Sequence, residues 1–446
     1  MTNKINRRRF LQATAVAATG SLGSVSLSAS STAPVMKTNL FSSPAPIPAA
    51  KGPRVVIVGG GWSGLTLAKY LKKNNPAFDV VLLDKNEQFV SCPMSNVWMA
   101  DQVNLEFLTH SYLDAANNND YLYLNATALE LDRVSKTLVT TLGSIAYDYL
   151  VLAPGIDYDY KRIGVESPED EYALRMHHPA GFSSASEMIA IKHKLQNFKG
   201  GTLALTVPSG NYRCMAAPYE RACMAAAIFK KRNIRAKVLL IDMNPGIRIK
   251  ATGFRKAFSE YYSDIIQYES SADIKSVNLQ DREIITDFDS YGFDDALIYP
   301  PIRAASIIQQ FGLNDESSLQ QEARTDPFKY HLLDDEYVYV TGDSRSQPFS
   351  KSGNTANSEA RYVAEVISAH AAGKEIEWRS PQTMCFSGVK VDPLESMSII
   401  AFYKYDQQQQ AFAFDRSHVI EKWSTKAGQA GLAWACAAAR GGRGGA

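Results

Sequence analysis

The chain has 446 residues, 45% hydrophobic and 21% charged, with a formal net charge of +1. That length suits two or three domains with ordinary cores. The near-neutral balance excludes the basic footprint that nucleic acid or an anionic membrane surface requires, and no stretch beyond the N-terminus approaches the ~20 apolar residues of a membrane span. Residues 1–33 read as an export signal. Asn6-Arg7-Arg8-Arg9-Phe10-Leu11-Gln12 carries a twin-arginine pattern, a mild Ala/Ser/Gly stretch follows, and small residues near 28–33 suit a signal peptidase. This route exports folded protein, so a cofactor would be bound before export, and the expected destination is the oxidising periplasm. The five cysteines, Cys92, Cys214, Cys223, Cys385 and Cys436, are too sparse for a disulfide scaffold. None lies in a haem-attachment motif, and no cluster has metal-ligand spacing, so no metal is expected.

After a Pro/Ser/Ala linker over 34–53, the run Arg54–Val58 is short and β-branched, as a strand buried on both faces should be. It leads into Gly59-Gly60-Gly61-Trp62-Ser63-Gly64, in which Gly59, Gly61 and Gly64 fit G-x-G-x-x-G. Leu65, Leu67, Ala68 and Leu71 then have helical spacing, and a second strand, 79–83, ends on Asp84. In this order the glycines make a tight turn, let backbone approach a pyrophosphate, and allow close helix–strand packing. The helix start offers free N–H groups to phosphate, and Asp84 is placed to accept from a ribose hydroxyl. Residues 121–150 predict a small β-meander, and Tyr149–Leu152 a buried strand before the Pro154-Gly155 turn.

A second strand–turn–helix–strand unit begins at Thr202, with a helix expected from Pro218 to about Arg232. Its turn lacks the glycine fingerprint that close backbone approach to a nicotinamide dinucleotide needs. The turn carries Arg213 and Cys214 instead, a setting that favours a thiolate. Further strands are expected over 294–301 and 336–343, a helix over 356–371, and strands over 397–405 and 411–414. The Ala/Gly/Arg-rich tail, 433–446, reads as unstructured.

Taken together, RVVIVGGGWSG, SCPMSN at 91–96, YRCMAAPYERA at 212–222, Pro300-Pro301, and VTGD with SKSGNTANS resemble the flavoprotein subunit of flavocytochrome c sulfide dehydrogenase, a relative of sulfide:quinone oxidoreductase. The resemblance runs from about Arg54 to Tyr405. It implies an α/β fold with a glutathione-reductase-like pair of Rossmann-type domains and a smaller C-terminal α+β domain. The expected segments are FAD-binding over 54–165 and 301–378, a second domain that does not bind NAD over 166–300, and a C-terminal domain over 379–432. FAD is the implied cofactor. Gly155, Gly342, Asp343, Lys351 and Asn357 join the glycine turn and Asp84 in holding it, and Cys92 matches the position that tethers the flavin through sulfur. A buried free thiol is the alternative for Cys92.

Cys214 matches one of two redox cysteines, and Glu220 matches a carboxylate that accepts a proton, although a surface glutamate at a helix start reads the same way. The resemblance implies the second redox cysteine two residues beyond Gly342-Asp343, where this chain has Arg345. Cys385 falls near a family cysteine outside the redox pair. Arg345 is therefore expected to favour the Cys214 thiolate and to hold HS⁻ beside the flavin. The implied partner is a c-type cytochrome subunit in a heterodimer. Quinone is the alternative acceptor, and an electron-transfer subunit without sulfide chemistry is the third reading.

Overall fold

A computed structural model describes residues 43–440; the proposed export signal and the end of the tail, 441–446, lie outside the described residues. The first sheet has six strands in the order His331–Leu332, Asp335–Val340, Tyr149–Leu152, Arg54–Val58, Asp79–Asp84 and Leu122–Asn125. All pairings are parallel except that of His331–Leu332. Val56 lies opposite Val81, and Ile57 opposite Val151. Both faces of the central strand are covered. Val55 and Ile57 face a core with Leu67, Leu71 and Val363, and Val56 and Val58 face another with Leu138 and Ile145. Each such apolar side chain contributes about 1.5–3 kcal/mol on burial, which is why the run is apolar without alternation.

Part of the expected meander lies elsewhere. Leu122–Asn125 adds to the edge of the main sheet, and Ala128–Asp132, Thr137–Thr140 and Gly143–Ala146 form the antiparallel meander beside it.

The second sheet is parallel, ordered Ile266–Glu269, Ala236–Asp242, Gly201–Val207 and Asp295–Leu297. The helix Ala217–Lys231 buries Ala222, Cys223, Ala225, Ala226 and Phe229 against it. The strand expected over 294–301 pairs here only over Asp295–Leu297. Pro300-Pro301 has no N–H to donate, and the chain then crosses as Ile302–Ala304 to pair antiparallel with Ile156–Tyr158.

The C-terminal sheet is antiparallel: Gln382–Val391, Leu394–Asp406 and Ala411–Ser424. Its first strand is not evident in the sequence because two polar residues point inward. Thr383 is buried in a hydrogen bond with the Tyr403 hydroxyl (2.7 Å), and Ser387 is buried against the Lys250 ammonium (2.7 Å). The tail corrects the sequence reading more sharply. Residues 433–440 belong to a helix, Thr425–Arg440, packed on this sheet. Alanine favours helix, and the glycines allow contact: a Cβ at Gly428 would stand 2.4 Å from the Leu394 carbonyl oxygen.

Candidate active site

A cleft of about 460 Å³ opens at the C-terminal ends of the first sheet's strands, where open α/β sheets take ligands. Gly59, Gly61, Asp84, Gly155, Gly342 and Asp343 line it, as does Cys92. Gly59 has φ +104°, and a Cβ there would lie 2.3 Å from the Ala153 carbonyl oxygen, so no side chain fits. Gly61 has open space where its Cβ would be, which is the cradle a pyrophosphate needs. Asp84 accepts from the Gly60 N–H (2.7 Å) on one oxygen and from the Asn86 N–H (2.8 Å) on the other. Oδ1 also accepts from Asn86 Nδ2 (2.9 Å), so Oδ2 is the oxygen with a lone pair left for a ribose hydroxyl. The first turn of the helix Gly353–Ala371, capped by Ser352, also borders the cleft. These features fit an extended dinucleotide.

A second cavity of about 70 Å³ adjoins the first, and Cys92 lines both. Cys214, Glu220, Cys385 and Trp434 are among the other residues that line it. Cys214 sits on the loop before helix Ala217–Lys231 with φ 57°, and its N–H donates to the Lys351 carbonyl (2.7 Å). That bond, with Asn211 Nδ2 donating to the Phe349 carbonyl (3.2 Å), fastens the loop of the second sheet onto the chain that returns to the first. The loop position that carries a dinucleotide in a glycine-rich turn is thus filled by protein. The Cys92 and Cys214 thiols interact. That interaction, aided by Arg213 and Arg221 and opposed by burial, brings the Cys92 thiol down to about 6. The same interaction, with burial, holds the Cys214 thiol well above its ordinary value.

Glu220 is turned inward, not out to solvent. Its oxygens accept from Asn96 Nδ2 (2.8 Å) and the Gly388 N–H (2.6 Å), and burial pushes its carboxyl up. Asn96 in turn accepts from Arg221 Nε (3.0 Å). Arg213 donates to the Phe182 carbonyl (2.8 Å) and lies 3.3 Å from Asp343 Oδ2, joining the cysteine loop to the Gly-Asp turn. Trp434, from the C-terminal helix, stacks on Trp62 of the glycine turn, with centroids 5.8 Å apart and planes at 16°. The cavity is roofed by the segment that composition alone marks as a tail.

Three expected site residues are placed otherwise. Arg345 is fully buried, with Nε 2.6 Å from Glu359 Oε1 and Nη1 donating to the Gln347 carbonyl (2.8 Å). It lines neither cavity. Its charge is spent on Glu359, so it cannot serve as an anion site. Lys351 is buried with its ammonium on Glu322 (3.1 Å) and the Asp343 carbonyl (2.6 Å), bracing the Gly-Asp turn from behind. Asn357 donates to Thr66 Oγ1 (2.6 Å), tying two helices together outside the cleft. Cys385, set aside in the sequence reading, lines this cavity with Cys92 and Cys214. Cys223 is buried along its helix, where burial raises its thiol. Asn96 and Trp434 carried no sequence signal beyond their neighbours. Cys385 carried its residue type and a match to a family cysteine outside the redox pair.

Fold and cleft define a two-dinucleotide-fold flavoprotein, an α/β oxidoreductase with a C-terminal sheet. Residues 53–183 match the pyridine nucleotide-disulphide oxidoreductase family, and residues 189–298 match the central region of the sulfide dehydrogenase [flavocytochrome c] flavoprotein chain. The flavoprotein chain of Chlorobaculum thiosulfatiphilum sulfide dehydrogenase is 51% identical over 43 residues, which are 10% of this chain and 90% of that sequence. Mitochondrial sulfide:quinone oxidoreductase of Mus musculus is 27% identical over 190 residues, 42% of this chain and 41% of that protein's length. The Dictyostelium discoideum enzyme of that name is 21% identical over 383 residues, covering 82% and 80% of the two chains. In three dimensions the chain resembles the Aquifex aeolicus sulfide:quinone oxidoreductase, with TM-score 0.68, 16% identity, and coverage of 87% and 92%. The chain belongs to the family of sulfide dehydrogenase flavoprotein chains and sulfide:quinone oxidoreductases, and its cofactor is FAD.

Proposed function

We propose that the protein is a periplasmic sulfide dehydrogenase flavoprotein that oxidises sulfide through a Cys214–Cys385 dithiol and passes the electrons to a c-type cytochrome subunit. The observation that carries the reading is the cavity shared by Cys92, Cys214, Cys385 and Glu220 beside the dinucleotide cleft. FAD, held by Gly59, Gly61, Asp84, Gly155, Gly342 and Asp343, supplies a two-electron acceptor that releases electrons singly.

In the oxidised state Cys214 and Cys385 form a disulfide. Glu220, with its carboxyl raised by burial, takes the proton of hydrogen sulfide, and the resulting HS⁻ opens the disulfide. Cys92, with the lower thiol of the cavity, has the nucleophile needed to tether the flavin as a thioether. A tether suits a protein exported with its cofactor, as the twin-arginine pattern at Arg7-Arg8 suggests. The cavity cysteine at 385 supports sulfide chemistry over the electron-transfer subunit that the arginine at 345 suggested.

The test is an anaerobic titration of purified protein with sulfide. Bleaching of the flavin spectrum, and reoxidation by a c-type cytochrome rather than by a quinone analogue, is the expected result. A yellow protein that sulfide leaves unbleached would refute the reading. A second acceptor, quinone, is favoured by the names of the mouse, Dictyostelium and Aquifex relatives, each a sulfide:quinone oxidoreductase. Among the described residues no helix is long and apolar enough to cross a membrane, so a quinone route would use a surface contact, and reoxidation by the analogue alone would select it.

A further inference from the structure

Lys250 is 3% exposed, yet among the described residues no carboxylate lies within ion-pair distance of its ammonium. The ammonium donates to Ser387 Oγ (2.7 Å) and the Cys385 carbonyl (3.3 Å), and lies 3.4 Å from Cys385 Sγ. The residue has φ 55° immediately before the helix Ala251–Lys256, so its side chain leaves the backbone at a fixed bend. Glu220 acts on this region electrostatically, but its two oxygens are already taken by Asn96 and the Gly388 N–H. A buried cation without a counter-charge is costly. The nearest atom able to supply that charge is the Cys385 sulfur.

Cys214 has no cation of its own. Arg213 stands on the same loop, but its guanidinium is shared with Asp343 and the Phe182 carbonyl. The better leaving sulfur in disulfide exchange is the one whose anion is better stabilised.

We propose that Lys250 sets the polarity with which the Cys214–Cys385 disulfide opens. The sulfur of HS⁻ bonds to the Cys214 sulfur, the bond between the two cysteines breaks, and its electron pair remains on Cys385 as a thiolate facing Lys250. The products are a Cys214 persulfide, which keeps the HS⁻ proton, and one thiolate. Sulfide loses the two electrons that the disulfide gains; a second sulfide takes the outer sulfur from Cys214 as hydrodisulfide and leaves a dithiol, and bound FAD would accept its two electrons as the disulfide re-forms. This rests on the dithiol reading above.

Sulfite separates the two. It opens disulfides as sulfide does but leaves a stable S-sulfonate, and it needs no sulfide-oxidising activity. Oxidised holoprotein is treated with sulfite without oxygen, denatured in an alkylating agent, and mapped by peptide mass spectrometry. The sulfonate is expected on Cys214 and the alkylated thiol on Cys385, in at least about tenfold excess over the reverse. Lys250→Met is expected to slow sulfonation at least about tenfold and spread the label over both cysteines, while Lys250→Arg keeps rate and polarity. Sulfonate mainly on Cys385 overturns the proposal, as does an unchanged rate and distribution in Lys250→Met. If that variant does not fold, the wild-type map still decides. Recovery of both cysteines as free thiols removes the dithiol and the proposal with it. Sulfonate on Cys214 in a protein that sulfide does not bleach sustains the polarity and removes sulfide as the substrate.

Discussion

Replacing Arg345 by methionine separates a structural ion from a catalytic one. The guanidinium holds Glu359 Oε1 (2.6 Å) and the carbonyls of Gln347 (2.8 Å), Phe349 (3.2 Å) and Ser350 (3.3 Å). Both charged side chains are essentially sealed, at 0% and 1% exposure. Glu359 Oε2 has no partner, and Oε1 also accepts from Tyr330 (3.0 Å). Methionine fills part of the volume but leaves a buried carboxyl without its counter-charge and strips donors from three carbonyls. Breaking a buried pair from one side costs about 3–5 kcal/mol, a large part of the ~5–15 kcal/mol that holds a domain folded. Urea unfolding of the holoprotein, followed by flavin fluorescence and circular dichroism, should show that loss. Adding Glu359→Gln should recover part of it, because an amide carries no charge. Flavin bleaching by sulfide, normalised to folded protein, should be unchanged. An unaltered unfolding midpoint together with a lost sulfide reaction would refute the structural assignment and return position 345 to the chemistry.

Cys385→Ser should abolish flavin reduction by sulfide while dithionite still bleaches the flavin; a sulfide rate within about tenfold of wild type would show that residue 385 is not the second redox sulfur. The carboxyl of Glu220 is raised by burial, and only its ionised form accepts a proton. The rate of flavin reduction should therefore fall as pH drops through that raised value and be held above it. Glu220→Gln should lower the rate about 10²–10⁴-fold and remove this limb, and a retained limb would assign it to another group. Trp434→Ala removes a stacked pair worth about 0.5–1.5 kcal/mol beyond its buried area and unroofs the cavity. After reduction, a bulky maleimide should label the cavity thiols several-fold faster, and equal labelling rates would argue against a roof.

Much of the first sheet is legible because its determinants are adjacent in the chain. Val55 to Val58 must be buried on two faces, and Gly59 must adopt a φ of +104° beneath the Ala153 carbonyl. Each condition restricts residue type at its own position, so composition and spacing report it. Cys214 and Glu220 were visible for the same reason, lying in one loop and the helix it opens. Polar inward residues hid the strand Gln382–Val391, because alternation fails when Thr383 and Ser387 are satisfied by partners elsewhere.

What the chain order determined by itself was the dinucleotide turn, the absence of a second one, and the presence of a thiol at the next loop. Which sulfur faces that thiol was decided only by folding. Lys250 and Cys385 meet across 135 residues, and Glu220 and Gly388 across 168. Such contacts leave no local pattern, since each partner satisfies its own backbone independently. Arg345 shows the converse: proximity to the Gly-Asp turn suggested chemistry, but a guanidinium in a dry interior goes to the nearest carboxylate, and Glu359 was there.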